Sequence, residues 1–249
     1  MTDENVRAIL LDIEGTTTPV AFVYQVLFPF ARRHLAEFLQ QLQLTDQMLT
    51  VVSEFVAEHR ADVARGEVPP AWRNDSARSE LDSVMSYVFW LMDQDRKSTA
   101  LKSLQGEIWE AGYLSGRLRG EVYPDVAPAL ARWTRWTKQQ QRRIYIYSSG
   151  SVLAQKLLFA HTTDGDLTGF ISGYFDTTTG AKRDPASYRA ISRQIDVPAG
   201  EILFLSDVTA ELEAAQSAGL KSTLCVRPGN AEGESAWETS VNDFDAIFP

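Results

Sequence analysis

Four short runs in this chain are apolar without a break: AILLDI at 8–13, RIYIYS at 143–148, ILFLS at 202–206 and STLCV at 222–226. A strand with one wet face alternates apolar and polar residues, because successive side chains point to opposite sides. Unbroken apolarity instead demands cover on both faces, the condition of a parallel sheet held between layers of helix. Helical patterns follow the second and third runs, as SVLAQKLLFA and AELEAAQSAG, so the chain reads as βαβ units. Gly219 stands just before the fourth run, where a glycine closes a helix. The fold class expected is α/β.

Residues 14–142 contain no comparable run and show helical spacing instead. Leu27, Phe30, Phe38, Leu39 and Leu42 share one helical face, and Met48, Val51, Val52, Phe55 and Val56 a second. Leu81, Val84, Met85, Val88, Phe89 and Met92 mark a third helix, and Leu101, Leu104, Ile108 and Trp109 a fourth. GEVPPAWRND at 66–75 separates the second from the third. The expected organisation is an α/β core domain of residues 1–19 and 121–249, interrupted by a helical domain at 20–120. VYPDV at 122–126 marks the return to the core. Trp72, Trp90 and Trp109 read as core residues of the insertion. His34, His59 and His161 lack metal-ligand spacing and read as surface or capping residues. The DQDRK run that holds Arg96 and Lys97 reads as a solvated helix end, although both side chains are long enough to reach a pocket. The C-terminal stretch is polar until its last apolar residues, a surface loop whose end docks back on the body.

Thirty-three acidic residues against 24 basic ones leave a net charge of −9, which argues against a nucleic-acid partner. No stretch approaches the ~18 apolar residues that a membrane span needs. MTDENVRAILLD opens acidic rather than basic, unlike a secretory signal, so a soluble cytoplasmic protein is expected. Cys225 is the single cysteine and sits in an apolar run, as a small core residue would. With no coiled-coil repeat, a monomer is the expected state.

The chemistry concentrates where the apolar runs end. In α/β folds ligands bind outside the carboxyl ends of the strands. The first run ends in Asp12, Ile13 and Glu14, followed by Gly15 for a tight turn and by the hydroxyls of Thr16 and Thr17. The second delivers Ser148 and Ser149, with Gly150 opening a helix whose N-terminus suits an anion. The third delivers Asp207, with Glu211 four residues on, and GAKRDPASY places Lys182 in a loop just before a helix at Pro185. Acid, hydroxyl and acid from three strand ends, with one amine, supply a nucleophilic carboxylate, ligands for a hard cation and donors for a phosphoryl group.

DxEGTTT, the Ser148 strand end, Lys182 and SDVTAELEAA match, in order, the four motifs of the haloacid dehalogenase-like hydrolases, and the chain resembles that family over nearly its whole length. The DIEGTTTP wording, LQGEIWEAGY and VRPGN are similar to one branch of it, the enolase-phosphatases of methionine salvage. The resemblance implies a Rossmann-like parallel-sheet core with an inserted helical cap. Asp12 would be the nucleophile, and Glu14 would lend its carbonyl to Mg²⁺ and its side chain to proton transfer. Asp12, Glu14 and Asp207 would together hold that Mg²⁺. Ser148 and Ser149 would hold the phosphate, and Lys182 would neutralise charge on nucleophile and phosphoryl group. The implied substrate is a small phosphorylated diketone, with a sugar phosphate as the alternative for a phosphatase of this fold.

Overall fold

The computed structural model describes residues 5–42, 45–96, 98–135, 142–229 and 237–248. The chain divides into two compact units, Met1–Val26 with Arg119–Pro249, and Leu27–Leu118. The first unit carries the strands β1 (Ala8–Leu11), β2 (Arg143–Tyr147), β3 (Gly173–Phe175), β4 (Ile202–Ser206), β5 (Lys221–Cys225) and β6 (Ser240–Val241). They form one sheet in the order β3-β2-β1-β4-β5-β6, and every neighbouring pair is parallel. Every residue of β1 and β4 is buried, as their unbroken apolarity requires.

In chain order the helices are α1 (Val20–Phe22), α2 (Phe28–Leu42), α3 (Asp46–Ala64), α4 (Ala77–Asp93), α5 (Thr99–Leu114), α6 (Val126–Thr134), α7 (Val152–Ala160), α8 (Pro185–Ile195) and α9 (Thr209–Ser217), with a π-helical turn at Val23–Leu27. Leu10, Tyr147 and Phe204 of the sheet share a core cluster with Tyr188 and Ile191 of α8 and Leu212 of α9. The α7 helix opens after Ser151, whose hydroxyl accepts the Ala154 N–H at 3.3 Å, rather than at Gly150 as the sequence suggested. Pro185 takes the first position of α8, where its missing N–H matters least, and the Asp184 carboxylate accepts from Ala186 N–H. Gly219, at φ +91°, ends the turn after α9 in the left-handed conformation that favours glycine.

Two strands carried no signal in the sequence. β3 and β6 lie at the two edges of the sheet and are short, and most of their residues are partly exposed. An edge strand buries too little to need an apolar run. The end of the chain does dock back: Phe244, Ile247 and Phe248 are buried, and Trp133 Nε1 donates to the Ile247 carbonyl at 2.8 Å.

The second unit is helical. Met48, Val51 and Phe55 of α3, Leu81, Val84 and Val88 of α4, and Leu101, Leu104 and Ile108 of α5 are buried at the expected spacings. Two readings need correction here. His59 is buried, not a surface or capping residue, because Trp72 and Tyr87 close over it edge-on at 5.3 and 5.0 Å and the Pro70 carbonyl bonds its Nε2 at 2.8 Å. Arg96 is no solvated helix end: its guanidinium reaches the fully buried Asp62 at 2.6 Å and Glu67 at 3.3 Å. Lys97, named with it, lies outside the described residues.

Candidate active site

The site is assembled by register. Leu11 pairs with Leu205 on one side and with Ile146 on the other, so the residues that leave β1, β4 and β2 emerge side by side at one end of the sheet. Asp12 is the first residue past β1, and its N–H still bonds the Leu205 carbonyl at 3.0 Å. Its side chain is buried, and both of its oxygens are hydrogen-bonded. Oδ1 receives Lys182 Nζ at 2.6 Å and the Ile13 N–H at 2.7 Å, while Oδ2 receives the Ser206 hydroxyl at 3.0 Å.

The turn behind Asp12 is wound tightly on itself. The Ile13 carbonyl accepts the N–H groups of Thr16, Thr17 and Thr18 at 3.2, 3.0 and 2.9 Å, and Gly15 N–H bonds the Thr18 carbonyl at 2.8 Å. Gly15 turns at φ +69°, a conformation that a side chain would strain. Glu14 sits half-buried in this turn, paired to Thr18.

Lys182 was expected from its motif, but a loop lysine is normally mobile and solvated. Here three successive backbone carbonyls are pinned. Tyr147 Oη donates to Gly180 at 2.9 Å, Ser187 Oγ to Ala181 at 2.8 Å, and Tyr188 Oη to Lys182 at 2.7 Å. The ammonium lies between two carboxylates, Asp12 Oδ1 and Glu211 Oε2, each at 2.6 Å. Burial alone would push its pKa down, but the charges of Asp12 and Glu211 outweigh that and hold it above the ordinary lysine value. Lys182 is therefore a fixed cation.

Sequence reasoning assigned no role to Glu211 or Ser206, which complete this arrangement. Ser206 shares its one proton between Asp12 Oδ2 and Glu211 Oε2, at 3.0 and 3.2 Å, and accepts the Val208 N–H at 3.1 Å. The available signal was a lone hydroxyl closing an otherwise apolar run. A buried polar side chain at a strand's end is there to bond something. Asp207 follows, and its pKa is pushed up to about 7, first by burial and then by the charge of Asp12. Glu211 is raised as well, by burial and by Asp12, against the pull of Lys182. Asp12 and Glu211 thus share the Lys182 ammonium, and Asp207 and Glu211 are both held toward their neutral forms.

The Ser148 and Ser149 pair divides. Ser148 is buried and its Oγ accepts the Gly150 N–H at 3.1 Å, whereas Ser149 is exposed. Of the N–H groups at the start of α7, that of Val152 goes to Asp176 Oδ2 at 3.3 Å and that of Ala154 to Ser151. The N–H groups of Gly150, Val152 and Ala154 are thus bonded within the protein.

A buried carboxylate at the end of the central strand, with a lysine bonded to it and a second acid on the neighbouring strand, is the arrangement expected of a haloacid dehalogenase-like hydrolase. The family model for haloacid dehalogenase-like hydrolases matches residues 6–219, and the chain belongs to that family. Within it, the similarity is to enolase-phosphatases. "Enolase-phosphatase E1" of Synechococcus elongatus is 46% identical over 98% of both chains, and that of Erwinia tasmaniensis is 46% identical over 97% of this chain and 96% of its own. The crystal structure of the UTR4 protein of Saccharomyces cerevisiae superposes with a TM-score of 0.79 at 33% identity, covering 97% of this chain and all of that one.

Proposed function

We propose that this chain is a magnesium-dependent enolase-phosphatase that converts 2,3-diketo-5-methylthiopentyl 1-phosphate to acireductone and phosphate. The observation that carries the phosphatase half is the Asp12 carboxylate, buried, hydrogen-bonded on both oxygens and flanked by Lys182 at 2.6 Å. The enolase half rests on the relatives' name and on the DIEGTTTP wording.

The donor set fits Mg²⁺. Among the described residues no three His, Cys, Asp or Glu side chains converge as a closed metal cage. Mg²⁺ does not ask for one, because it binds through one or two carboxylates and completes its shell with water and substrate phosphate. Asp12 and Asp207 would be those carboxylates, with the Glu14 carbonyl as a further ligand, and a divalent cation would offset their charge. When bound, it would neutralise the phosphoryl oxygens and polarise the substrate's oxygens.

The chain's own residues do the rest. An Asp12 oxygen attacks phosphorus, the bond from phosphorus to the substrate oxygen breaks, and an aspartyl phosphate forms. Water then attacks the same phosphorus, releasing phosphate and restoring the carboxylate. Lys182 offsets the charge that builds on the transferring group without moving to do so. Ser206 holds Asp12 in one rotamer throughout. Glu14, two residues past the nucleophile, is assigned the proton transfers. The helical insertion takes no part in phosphoryl chemistry, and we place discrimination between substrates there.

The test supplies the purified protein with the diketone phosphate and a panel of sugar phosphates, with and without Mg²⁺, following enol absorbance and phosphate release separately. The expected result is both signals with the diketone alone. Phosphate release from sugar phosphates at comparable kcat/KM overturns the assigned specificity, and no Mg²⁺-dependent release from any ester overturns the phosphatase.

A further inference from the structure

Arg227 is the most deeply buried arginine that the catalytic reading leaves without a role. It lies two residues past β5, is 4% exposed, and packs its guanidinium over the rings of Tyr123 and Phe244 at 4.5 and 4.4 Å. Its Nη1 bonds both oxygens of Asp125, at 2.9 and 2.8 Å, and the Asn242 carbonyl at 3.2 Å. Its Nε donates to the carbonyl of Thr16 at 3.0 Å. Thr16 belongs to the turn that follows Asp12.

β5 is separated from β1 by β4, so the two strand ends lie roughly 10 Å apart at the usual ~4.8 Å spacing. Only a long side chain crosses that gap, and only a planar fork can serve three partners in fixed directions. Inside, the turn is closed by its own hydrogen bonds to the Ile13 carbonyl. Outside, the Tyr123 N–H takes the Thr17 carbonyl at 2.9 Å and Arg227 takes that of Thr16. Asp125, which fixes the guanidinium, also accepts the Phe244 N–H at 2.7 Å and so ties in the C-terminal segment. The turn that carries Glu14 is therefore set from behind by a buried cation on a distant stretch of the chain.

We propose that Arg227 is a positioning residue for the Asp12–Thr17 turn, acting through the Thr16 carbonyl, and that it thereby sets the place of the Glu14 carbonyl and the Asp12 side chain. The inference rests on the reading of Asp12 as nucleophile. A supporting group of this kind is worth about tenfold to a hundredfold in metal affinity or activity, since small misplacements of reacting groups have effects of that size.

The test compares Arg227→Lys with the parent well below its melting temperature. Lysine keeps the charge opposite Asp125 but cannot serve Thr16 and both Asp125 oxygens at once. The expected result is a kcat about tenfold to a hundredfold lower with KM little changed, and a similar weakening of Mg²⁺ binding measured by calorimetry on substrate-free protein. A lower melting temperature with parental kcat and parental Mg²⁺ affinity would overturn the proposal, leaving Arg227 as a purely structural ion pair. If Arg227→Lys does not fold, Asp125→Asn carries the same test, since it unpins the guanidinium and so loosens its hold on the Thr16 carbonyl. Parental values of both quantities in that variant overturn the proposal equally. Asp12→Asn run alongside separates the two failures: if it remains active, the nucleophile reading is wrong, whereas if it is inactive and Arg227→Lys is not impaired, only the positioning role is lost.

Discussion

Each unit of the molecule buries a carboxylate cluster, and the two are balanced in opposite ways. In the helical unit Asp62 of α3 is fully buried but surrounded by donors. The Tyr87 hydroxyl reaches it at 2.5 Å, Arg96 at 2.6 Å, and Arg65 completes the set. Burial pushes its pKa up, but the Tyr87 hydrogen bond and the charges of Arg96 and Arg65 outweigh that and leave it below the ordinary value. In the sheet unit Asp12 and Glu211 share Lys182, Asp207 feels the charge of Asp12, and both Asp207 and Glu211 are pushed up. One cluster is neutralised by the protein itself and is structural. In the other the carboxylates crowd one another, and two of them are held toward their neutral forms.

The largest effect that separates the two is catalytic. Asp12→Asn keeps shape and an acceptor for Ser206 but removes the proposed nucleophile. Phosphate release should fall by about three orders of magnitude or more, the usual scale for losing a nucleophile, while the thermal midpoint holds or rises. A variant that retains most of the parental rate would show the nucleophile to be elsewhere. Asp62→Ala should do the reverse. It leaves Tyr87 without its acceptor and Arg96 with Glu67 alone, a loss of about 3 kcal/mol for a broken buried pair, or roughly 10 °C in a chain of this size. Its kcat on a small generic phosphoester, measured on folded protein, should stay within about twofold, since a structural pair has no share in a transition state. Equal loss of activity and stability in both variants would erase the distinction.

A smaller effect sharpens the point about charge. If the Asp207 cluster lacks a cation, Mg²⁺ should stabilise the parent protein, by about 2.7 kcal/mol at a hundred times its dissociation constant, or roughly 5–10 °C. Asp207→Asn removes a hard oxygen ligand and a crowded negative charge together. Its metal-free midpoint should equal or exceed the parental one, and Mg²⁺ should add little. Scanning fluorimetry with and without Mg²⁺ checks both halves, and a variant that gains as much from Mg²⁺ as the parent removes Asp207 from the metal site.

What the sequence showed and what it hid follow the same division between local and tertiary information. β1, β2 and β4 announce themselves because cover on both faces confines polar residues to their ends, and β5 by its Leu224 and Cys225. β3 and β6, at the edges, have no such demand on them. Asp12 and Asp207 could be named from the strand ends and Lys182 from its loop before a helix, but nothing local says that Lys182 is immobile. That depends on Tyr147, Ser187 and Tyr188 each holding a neighbouring carbonyl. Arg96 looks solvated in its own segment because its partner, Asp62, lies 34 residues earlier. His59 fails a metal-spacing test and is still buried, since the Trp72 that covers it arrives from the loop after α3.

The smallest prediction tests the balance at Asp62 directly. A carboxylate whose folded-state pKa is depressed contributes stability that is fully present above its unfolded value, near 3.9, and is lost as pH falls through the lower folded value. Asp62 is that case. Asp62→Asn removes the titrating group but keeps a similar shape. At neutral pH the parent should be the more stable, because the amide cannot match a carboxylate as acceptor for two guanidinium groups. Below pH 4 the parent's advantage should shrink, by at most one proton's worth, about 1.4 kcal/mol per pH unit. Urea unfolding of both proteins between pH 7 and pH 3 measures the difference. If the gap stays constant to pH 3, Asp62 does not change its proton affinity on folding, and its cluster is not the self-neutralised counterpart of the one at Asp207.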